Sequence, residues 1–401
     1  MILIYILILL INIYPIRPFE TFDIQKNNFR NKRAALRNPT RLWKEKIIYY
    51  KISAALKVNT NLKNVFEEIS KRSCLDFKEI DEYDNSVEKK CFFLKIDTNN
   101  YGTHFGKKLD TQQCQFIYFD NKNVSNVELM RWVFYGLGFD FEHNRPDRDD
   151  YFLIHKNNIQ KKFLPYVKKR SKRIVNTFGI DINPKNIMTL RENEYAINPS
   201  KKTFERTYVK EDNRFSFDLL THKDTFLINK HYCEKRCNPS FMCVFGGTPD
   251  YHNCDKCFCP GSLGGKYCQL LSSEVTPKCM FSDLKATRAG DGFNKYLAYD
   301  CDFSITSAPG TIIELSYYFY DESIPLDYNC HNDNGYVEIK LERDKSSPGI
   351  ILCYFGKKGT FYSEDNYVIV HMRGVIKSRV VRLMYKEVDP NEVSKGKIER
   401  T

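Results

Sequence analysis

The stretch that decides the fold is VELMRWVFYGLGFDFEHNRPDRDDY, at residues 127–151 of this 401-residue chain. Its first half is apolar nearly all round the helical repeat, which indicates a helix buried inside a large domain. Ser125 and Glu128 have the spacing of a capping box, so we predict that the helix begins there. Gly138 can adopt the left-handed conformation in which such a helix ends, and a charged turn follows it. Taken alone, these residues predict a core helix and a turn.

The second half of the stretch, GFDFEHNRPDRDDY, resembles the segment after the zinc-binding helix in the astacin family of metzincin peptidases. Members of that family are zinc endopeptidases whose signature is H-E-x-x-H-x-x-G-x-x-H, followed later by a Met-turn. Counted from Gly138, the three ligand positions fall on Arg131, Tyr135 and Phe141, and the catalytic glutamate position falls on Trp132. The resemblance therefore implies the fold of the family with a degenerate zinc motif.

The residues at these positions cannot perform the chemistry of the signature. A catalytic zinc of this type needs three imidazoles and an open position for a water, which the glutamate deprotonates. Arginine does not deprotonate, phenylalanine has no donor atom, and tryptophan is not a base. A four-residue gap would keep Glu128 as the glutamate, but the ligand positions would become Val127, Arg131 and Phe141. We therefore expect no metal ligand, no catalytic residue and no bound zinc, although the family uses zinc.

Other positions carry the resemblance further along the chain. Met188 stands where the Met-turn methionine would be, but the tyrosine that the family places two residues later is Leu190. RNKR, ending at Arg33, resembles a proprotein convertase site whose cleavage would free the amino group of Ala34. In the family, that group pairs with the glutamate after the third ligand, present here as Glu142. Such a buried pair is costly unless it is well bonded, so it stays a hypothesis.

The amino-terminal sequence and the cysteines predict a secreted protein. Residues 1–15 contain an apolar run too short to span a bilayer, which we interpret as a signal peptide, and residues 16–33 as a short propeptide. Fourteen cysteines, most of them between Cys233 and Cys353, suit an oxidising compartment. Asn123 begins an N-V-S sequon, a candidate glycosylation site. We expect an extracellular protein with no membrane span.

Residues 34–233 are assigned to an α+β, two-lobed, astacin-like peptidase domain. Apolar runs at 46–52, 74–80, 91–97 and 114–120 predict strands. Asn61–Arg72 predicts an amphipathic helix with one apolar face, formed by Leu62, Val65, Phe66 and Ile69. We interpret the basic sequence at 155–173 as helical and residues 215–233 as the last helix of the domain.

Four cysteines belong to this domain. Cys91 and Cys114 begin two strands that could be neighbours, so we predict that they pair, with two buried free thiols as the alternative. The resemblance implies a second, long-range pair between Cys74 and Cys233.

Two further modules follow in the sequence. Residues 234–269 resemble an EGF-like module, whose pattern would pair Cys237 with Cys254, Cys243 with Cys257 and Cys259 with Cys268; sequence alone leaves other connectivities open. Residues 279–376 contain short aromatic-rich strands typical of an all-β sandwich. They resemble a CUB domain, which implies the pairs Cys279–Cys301 and Cys330–Cys353. We expect residues 377–401 to form a basic tail.

The net charge of +12 leaves several partner classes open. Lysine and arginine are scattered rather than gathered in one stripe, which argues against a nucleic-acid partner. Acidic glycans, a membrane surface or a merely solvated basic surface all remain. Arg131 either replaces the charge of the zinc and anchors a carboxylate, or pairs with a nearby acid such as Glu128.

The combined prediction is a secreted astacin-like pseudoprotease. It would bind an extracellular protein or glycan through its cleft and its EGF-like and CUB modules. The alternative is an active zinc endopeptidase that cleaves extracellular proteins with atypical ligands.

Overall fold

The computed structural model describes residues 35–45, 47–59, 61–86, 90–109, 113–176, 178, 186–207, 220–238, 241–271, 283–296, 300–320, 336–347, 349–352, 358–373 and 380–395. The proposed signal peptide and propeptide, Arg33 and Ala34 lie outside these ranges, as do Cys279, Cys330 and Cys353. Within the described ranges, no helix is long and apolar enough to cross a membrane.

A parallel sheet organises the first part of the chain. After β1 (Ala35–Leu36), four strands pair in the order β3-β2-β4-β5: β2 (Ile47–Ile52), β3 (Asp76–Glu79), β4 (Cys91–Ile96) and β5 (Gln115–Phe119). The helix α1 (Leu62–Arg72) buries the four apolar residues that were predicted to share a face. Phe66 of α1 stacks on Tyr50 of β2 with ring centroids 3.9 Å apart, so this face packs on the sheet.

The helix predicted from the opening stretch is α2 (Asn126–Gly136), and it is buried from Leu129 onward. The Ser125 hydroxyl accepts a hydrogen bond from the Glu128 N–H, but the Glu128 carboxylate bonds to Tyr101 instead of completing the capping box. A Cβ at Gly136 would lie 2.6 Å from the Phe92 ring, so glycine allows α2 to approach β4 closely. Gly138 has a φ of +92°, the left-handed conformation expected at the end of this helix.

The predicted helix over 155–173 is wrong. The structure has 3-10 helices at Lys156–Asn158 and Lys161–Val167, after two others at Glu142–Asn144 and Arg148–Asp150. The Gln160 N–H donates to the Tyr195 carbonyl and the Asn158 carbonyl accepts from the Ile197 N–H, so this backbone bonds partly to a remote segment. Pro165 lacks an N–H altogether. Three short strands complete this half, of which β6 (Phe152–Ile154) pairs with β8 (Phe204–Arg206), and β7 (Val175–Asn176) pairs with β1.

The last helix of this domain is α3 (His222–Ile228), which begins at a capping box between Thr221 and Asp224. A π-helical turn, Asn229–Cys233, continues it and ends at the Cys74–Cys233 disulfide. Residues 215–219 of the predicted helix lie outside the described ranges. A second disulfide, Cys91–Cys114, joins the starts of the neighbouring strands β4 and β5.

A small cysteine-rich unit follows, with two antiparallel pairs: β9 (Thr248–Asp250) with β10 (Asn253–Phe258), and β11 (Leu263–Gly264) with β12 (Leu270–Leu271). Its disulfides are Cys237–Cys254, Cys243–Cys257 and Cys259–Cys268. They hold together a unit whose own apolar cluster is small.

The rest of the described chain forms a β-sandwich. Its strands are β13 (Asp283–Lys285), β14 (Asp291–Tyr296), β15 (Cys301–Thr306), β16 (Ile312–Tyr320), β17 (Tyr336–Lys340), β18 (Ile350–Leu352), β19 (Lys358–Tyr362), β20 (Tyr367–Arg373) and β21 (Val380–Val388), and a helix, α4 (Pro390–Lys395), follows. One sheet has the order β13-β15-β20-β17-β18 and the other β14-β21-β16-β19. Apolar side chains of both sheets share one core.

The predicted tail from residue 377 is wrong, because β21 is an inner strand of the second sheet. It pairs with β14 on one side and with β16 on the other. Val381, Leu383 and Tyr385 of this strand are buried in the core of the sandwich. The boundary placed at residue 376 therefore cuts through the sandwich.

Candidate functional site

Three aromatic side chains occupy the place where the signature would put the glutamate and two of its histidines. The ring centroids of Trp132, Tyr135 and Phe141 are 5.7–5.8 Å from one another, and all three residues are buried. Tyr101 and Tyr166 also pack on Trp132, at 5.3 and 4.8 Å. Since such rings fill space and exclude water, this place is a packed aromatic cluster.

Arg131, at the first ligand position, is buried, and all three nitrogens of its guanidinium are bonded to other groups of the protein. Its Nε donates to the Ile187 carbonyl at 2.7 Å and its Nη2 to the Thr189 carbonyl at 3.0 Å. Its Nη1 forms an ion pair with Glu194. The pairing with Glu128 is therefore wrong, and the arginine does anchor a carboxylate, one that belongs to the protein.

Tyr135, at the second ligand position, belongs to a second polar group. Its hydroxyl accepts a hydrogen bond from Arg170 Nη2 at 2.9 Å, and Arg170 Nε pairs with Asp140 at 2.6 Å. Burial raises the pKa of Tyr135, so the phenol stays protonated and is a poor metal ligand. Burial also raises the pKa of Asp140, while Arg170 and Asn144 oppose that rise.

His143, the histidine nearest to the third ligand position, is part of the core. Its ring stacks on Phe141 at 5.2 Å between centroids and packs at a tilt against Phe204 at 4.6 Å, and its Nε2 donates to the Tyr166 carbonyl at 3.1 Å. Burial lowers the pKa of His143 to about 3, so the imidazole is neutral.

Glu142 joins the charged turn to the segment around Met188. Its Oε2 accepts from Arg145 at 3.0 Å and its Oε1 from Asn186 at 2.6 Å. The Glu142 N–H donates to the Met188 carbonyl at 3.2 Å, and Met188 is buried, as is Leu190.

The amino-terminal pairing of Glu142 concerns a residue outside the described ranges, Ala34. Its neighbour Ala35 is fully buried and bridges to Phe139, so the chain enters the domain close to the turn that carries Glu142. The pairing itself stays a hypothesis.

These residues do not fit a zinc ion. A guanidinium bonded on three sides, a protonated phenol and a phenyl ring offer no set of neutral or anionic donors. Across the part of the chain that the structure describes, no group of three or more His, Cys, Asp or Glu could hold a metal.

The cleft beside the cluster is bridged by direct contacts. Gly102 pairs through its backbone with Tyr118 of β5, and Tyr101, next to it, accepts a hydrogen bond on its carbonyl from the Tyr166 hydroxyl at 2.6 Å. The ring of Tyr101 lies 4.8 Å from that of Phe163, and Lys162 pairs with Asp120. Residues 101–102 and 162–166 therefore touch across the cleft, and binding of a partner in the rest of it stays a prediction.

The sequence model of the peptidase family described as "Astacin" matches residues 35–233. Residues 35–233 belong to the astacin family. The parallel sheet, the two helices on it and the buried Met188 thus form an astacin-family domain in which each position of the zinc signature carries another residue.

Relatives of this chain include zinc metalloproteinases of Caenorhabditis elegans. It is 26% identical over 382 residues to zinc metalloproteinase nas-28, which covers 88% of this chain and 72% of that protein. It is 27% identical over 244 residues to zinc metalloproteinase nas-30, covering 59% of this chain but only 32% of that protein.

Solved structures are similar at lower identity. High choriolytic enzyme 1, a hatching enzyme zinc-protease from the medaka Oryzias latipes, is 18% identical, with a TM-score of 0.40 over 48% of this chain and 94% of that one. The CUB1-EGF-CUB2 domains of rat MASP-1 are 13% identical, with a TM-score of 0.21 over 30% of this chain and 47% of that one.

Sequence reasoning missed the partners of the replaced residues. Glu194 and Arg170 are distant in the chain from the residues that they bind, and no local pattern marks them. Asp140 did carry a signal, because a carboxylate between Phe139 and Phe141 in a buried stretch requires a cationic or hydrogen-bonding partner.

Proposed function

We propose that this chain is a non-catalytic member of the astacin family that acts by binding an extracellular protein or glycan. The observation that supports this most is the state of the ligand positions. Arg131 and Tyr135 are bonded to other residues of the protein, and the rings of Tyr135 and Phe141 pack on Trp132. A centre of this kind neither presents donors to a metal nor holds a water to be activated.

Binding would then fall to surfaces outside the bridged cleft. We interpret residues 234–269 as an EGF-like module and the sandwich from residue 283 as a CUB domain, now extended to include β21. The three disulfides of residues 234–269 support the EGF-like assignment, and the core shared by the two sheets of the sandwich supports the CUB assignment. Both would present loops and sheet faces to a partner.

The proposal is tested by expressing the full chain in a secretory host. Zinc per protein is measured by mass spectrometry, and cleavage of denatured protein substrates is assayed with and without a chelator. We expect no stoichiometric zinc and no cleavage, with nas-28 as the positive control.

Chelator-sensitive cleavage would instead favour the atypical zinc endopeptidase. The Tyr135→Phe variant then decides whether the activity belongs to this centre, because it removes the one oxygen at a ligand position. Activity and zinc that disappear together in this variant would overturn the proposal.

Secretion and processing are part of the same proposal. Residues 1–15 would be removed as a signal peptide and residues 16–33 as a propeptide, and Asn123, which is exposed, would carry a glycan. Amino-terminal sequencing of the secreted protein should begin at Ala34 if a convertase cuts after Arg33. Glycosidase treatment should lower the mass of the wild type and leave Asn123→Gln unchanged.

A further inference from the structure

A groove in the astacin-family domain lies outside the replaced zinc centre. It has a volume of about 790 Å³ and is lined by residues of two segments, Ile154–Asn158 and the stretch from Asn198 to Glu205. Its polar lining consists of Lys156, Lys201, Lys202, His155, Glu205 and the amides of Asn157, Asn158 and Asn198. This volume lies in the range of sites that hold small ligands.

Asn158 fixes the shape of the groove. Its Nδ2 donates to the carbonyls of Asn198 and Lys201 at 3.2 and 2.9 Å, and its Oδ1 accepts from the Asn198 N–H at 2.9 Å. The bridge between Ile159 and Ala196 ties the same two segments together just behind it. These contacts hold the two segments that carry the lysines next to each other.

The charge of the groove is positive and only partly compensated. Lys202 pairs with Glu192 at 2.9 Å, and His155 lies 3.3 Å from Glu205. Among the described residues, Lys156 and Lys201 have no carboxylate within ion-pair distance, and both are exposed. The segment that supplies Lys156 has no acidic residue from 152 to 180, so the one carboxylate in the lining is that of Glu205.

The lining selects among anionic ligands. It contains no phenylalanine, tyrosine or tryptophan, the residues on which proteins stack the bases of single-stranded nucleic acid. It is concave and its one apolar lining residue is Ile154, whereas a membrane-binding surface presents apolar side chains outward. Ammonium groups beside side-chain amides suit a ligand that combines anionic groups with many hydroxyls.

We propose that this groove binds a sulfated oligosaccharide. Lys156 and Lys201 bind its sulfate groups, and Asn157, which is exposed in the lining, hydrogen-bonds to its hydroxyls. The inference deepens the binding part of the proposed function. It does not depend on the loss of catalysis, because the groove shares none of its lining with Arg131, Tyr135 or Phe141.

The test uses the secreted full chain and a size-defined heparin oligosaccharide, with affinity measured by titration calorimetry. In Lys156→Ala/Lys201→Ala we expect binding to weaken about tenfold or more for each amine removed, since a hydrogen bond to a charged group is involved. The matched control is Lys57→Ala/Lys71→Ala, two exposed lysines elsewhere on the domain with the same change in net charge. It should bind like the wild type.

Two further variants separate charge, sugar contacts and misfolding. Lys156→Arg/Lys201→Arg keeps the charge and should keep most of the affinity. Asn157→Ala should weaken binding of the oligosaccharide at high salt but leave binding of inorganic polyphosphate unchanged. Thermal unfolding of each variant should match the wild type, because the three side chains are exposed.

Three results would overturn the inference. The first is equal affinity of the Lys156→Ala/Lys201→Ala variant and the wild type, and the second is an equal loss in the Lys57→Ala/Lys71→Ala control. The third is binding of single-stranded DNA or anionic phospholipid vesicles as tight as that of the oligosaccharide. None of these results bears on zinc content or peptidase activity, so failure here is distinguishable from failure of the proposed loss of catalysis.

Discussion

Arg131 illustrates at the scale of one residue how protein contacts surround a position that holds a zinc ligand in the family signature. In the signature its position holds a neutral imidazole that donates a lone pair, whereas a guanidinium has only N–H groups to donate. The groups around Arg131 are accordingly hydrogen-bond acceptors: the carbonyls of Ile187 and Thr189 and the carboxylate of Glu194. The segment around Met188 is thus held to α2 by hydrogen bonds from an arginine.

We expect Arg131→Ala to lower the free energy of unfolding by about 3 kcal/mol, because it leaves a carboxylate and two carbonyls without their donor in a largely buried place. Urea denaturation measures this loss. The matched control is Arg191→Ala, which removes an exposed arginine from the same segment as Glu194 and should cost under about 0.5 kcal/mol. Equal losses in the two variants would show that the Arg131 contacts do not stabilise the domain.

His143 makes a prediction about pH. Burial holds its pKa at about 3 in the folded protein, whereas an unfolded histidine has a pKa of about 6.5. As the pH falls, the unfolded chain therefore binds this proton before the folded protein does. The contribution of His143 to the free energy of unfolding is fully present above about pH 6.5 and decreases as the pH drops toward 3. One proton contributes about 1.4 kcal/mol per pH unit, which amounts to about 2 kcal/mol between pH 7 and pH 5.

The measurement compares the pH dependence of unfolding in wild type and His143→Gln. The variant should lose about 2 kcal/mol less than the wild type over this range, whatever its stability at neutral pH. His252→Gln, which changes an exposed histidine, is the control and should follow the wild-type curve. Parallel curves for wild type and His143→Gln would contradict a neutral, buried imidazole.

At the scale of elements, the rim of the cleft depends on a glycine. Gly102 has a φ of +76°, and a Cβ on it would lie 2.7 Å from both the Trp132 ring and the Tyr166 hydroxyl. The tryptophan at the glutamate position thus requires a residue without a side chain opposite it. Trp132, Gly102 and Tyr166 form one packing unit that joins the two sides of the cleft.

We expect Gly102→Ala to destabilise the protein by about 2–4 kcal/mol, from backbone strain together with steric overlap. Gly310→Ala is a matched control, because Gly310 has a similar φ of +84° with nothing within 4 Å of the added Cβ. Gly310→Ala should lower the free energy of unfolding only by its backbone strain, about 1 kcal/mol. Thermal denaturation of both variants measures the difference, and equal losses would mean that the rim is not packed on Trp132.

The elements that sequence predicted correctly are those whose signal is local. The four apolar positions of α1 and the apolar runs of β2 to β5 are read within a few residues. β21 carried the same kind of signal, since Val381, Leu383 and Tyr385 alternate with polar or exposed residues, but its basic residues led to its interpretation as a tail. The segment 155–173 was misread because its hydrogen-bond partners at 195–197 are remote in the chain.

In the candidate site, too, the features that could be predicted from the sequence are those with a local signal. The replaced signature at residues 131–141 was predictable, because a motif is a local pattern that can be compared position by position. The contacts that Arg131 and Tyr135 make were not, since Glu194 is 63 residues from Arg131 and Arg170 is 35 from Tyr135. The bridged cleft also depends on contacts between distant segments, such as the hydrogen bond from Tyr166 to Tyr101.

At the scale of the whole molecule, three units meet at one junction, formed by Lys223, Gly246 and Asp344. Lys223 of α3 pairs with Asp344 of the sandwich at 3.3 Å, and its neighbour His222 donates to the Gly246 carbonyl of the small unit at 3.1 Å. The ring of Phe245 stacks on Tyr367 of β20 at 5.0 Å. The small unit therefore fixes the sandwich against the astacin-family domain.

Gly246→Ala tests whether this junction sets the overall shape. Gly246 has a φ of +81°, and a Cβ there would lie 2.4 Å from an Asp344 carboxylate oxygen and 2.7 Å from the Cβ of Ser346. Asp344 and Ser346 must shift to relieve that overlap, and we expect the sandwich to move with them, which gives a larger maximum dimension in small-angle X-ray scattering and faster proteolysis between the units. Gly310→Ala introduces comparable backbone strain in the sandwich without a neighbour and should leave the scattering profile unchanged. A Gly246→Ala profile identical to that of the wild type would show that the junction yields locally and does not hold the three units in place.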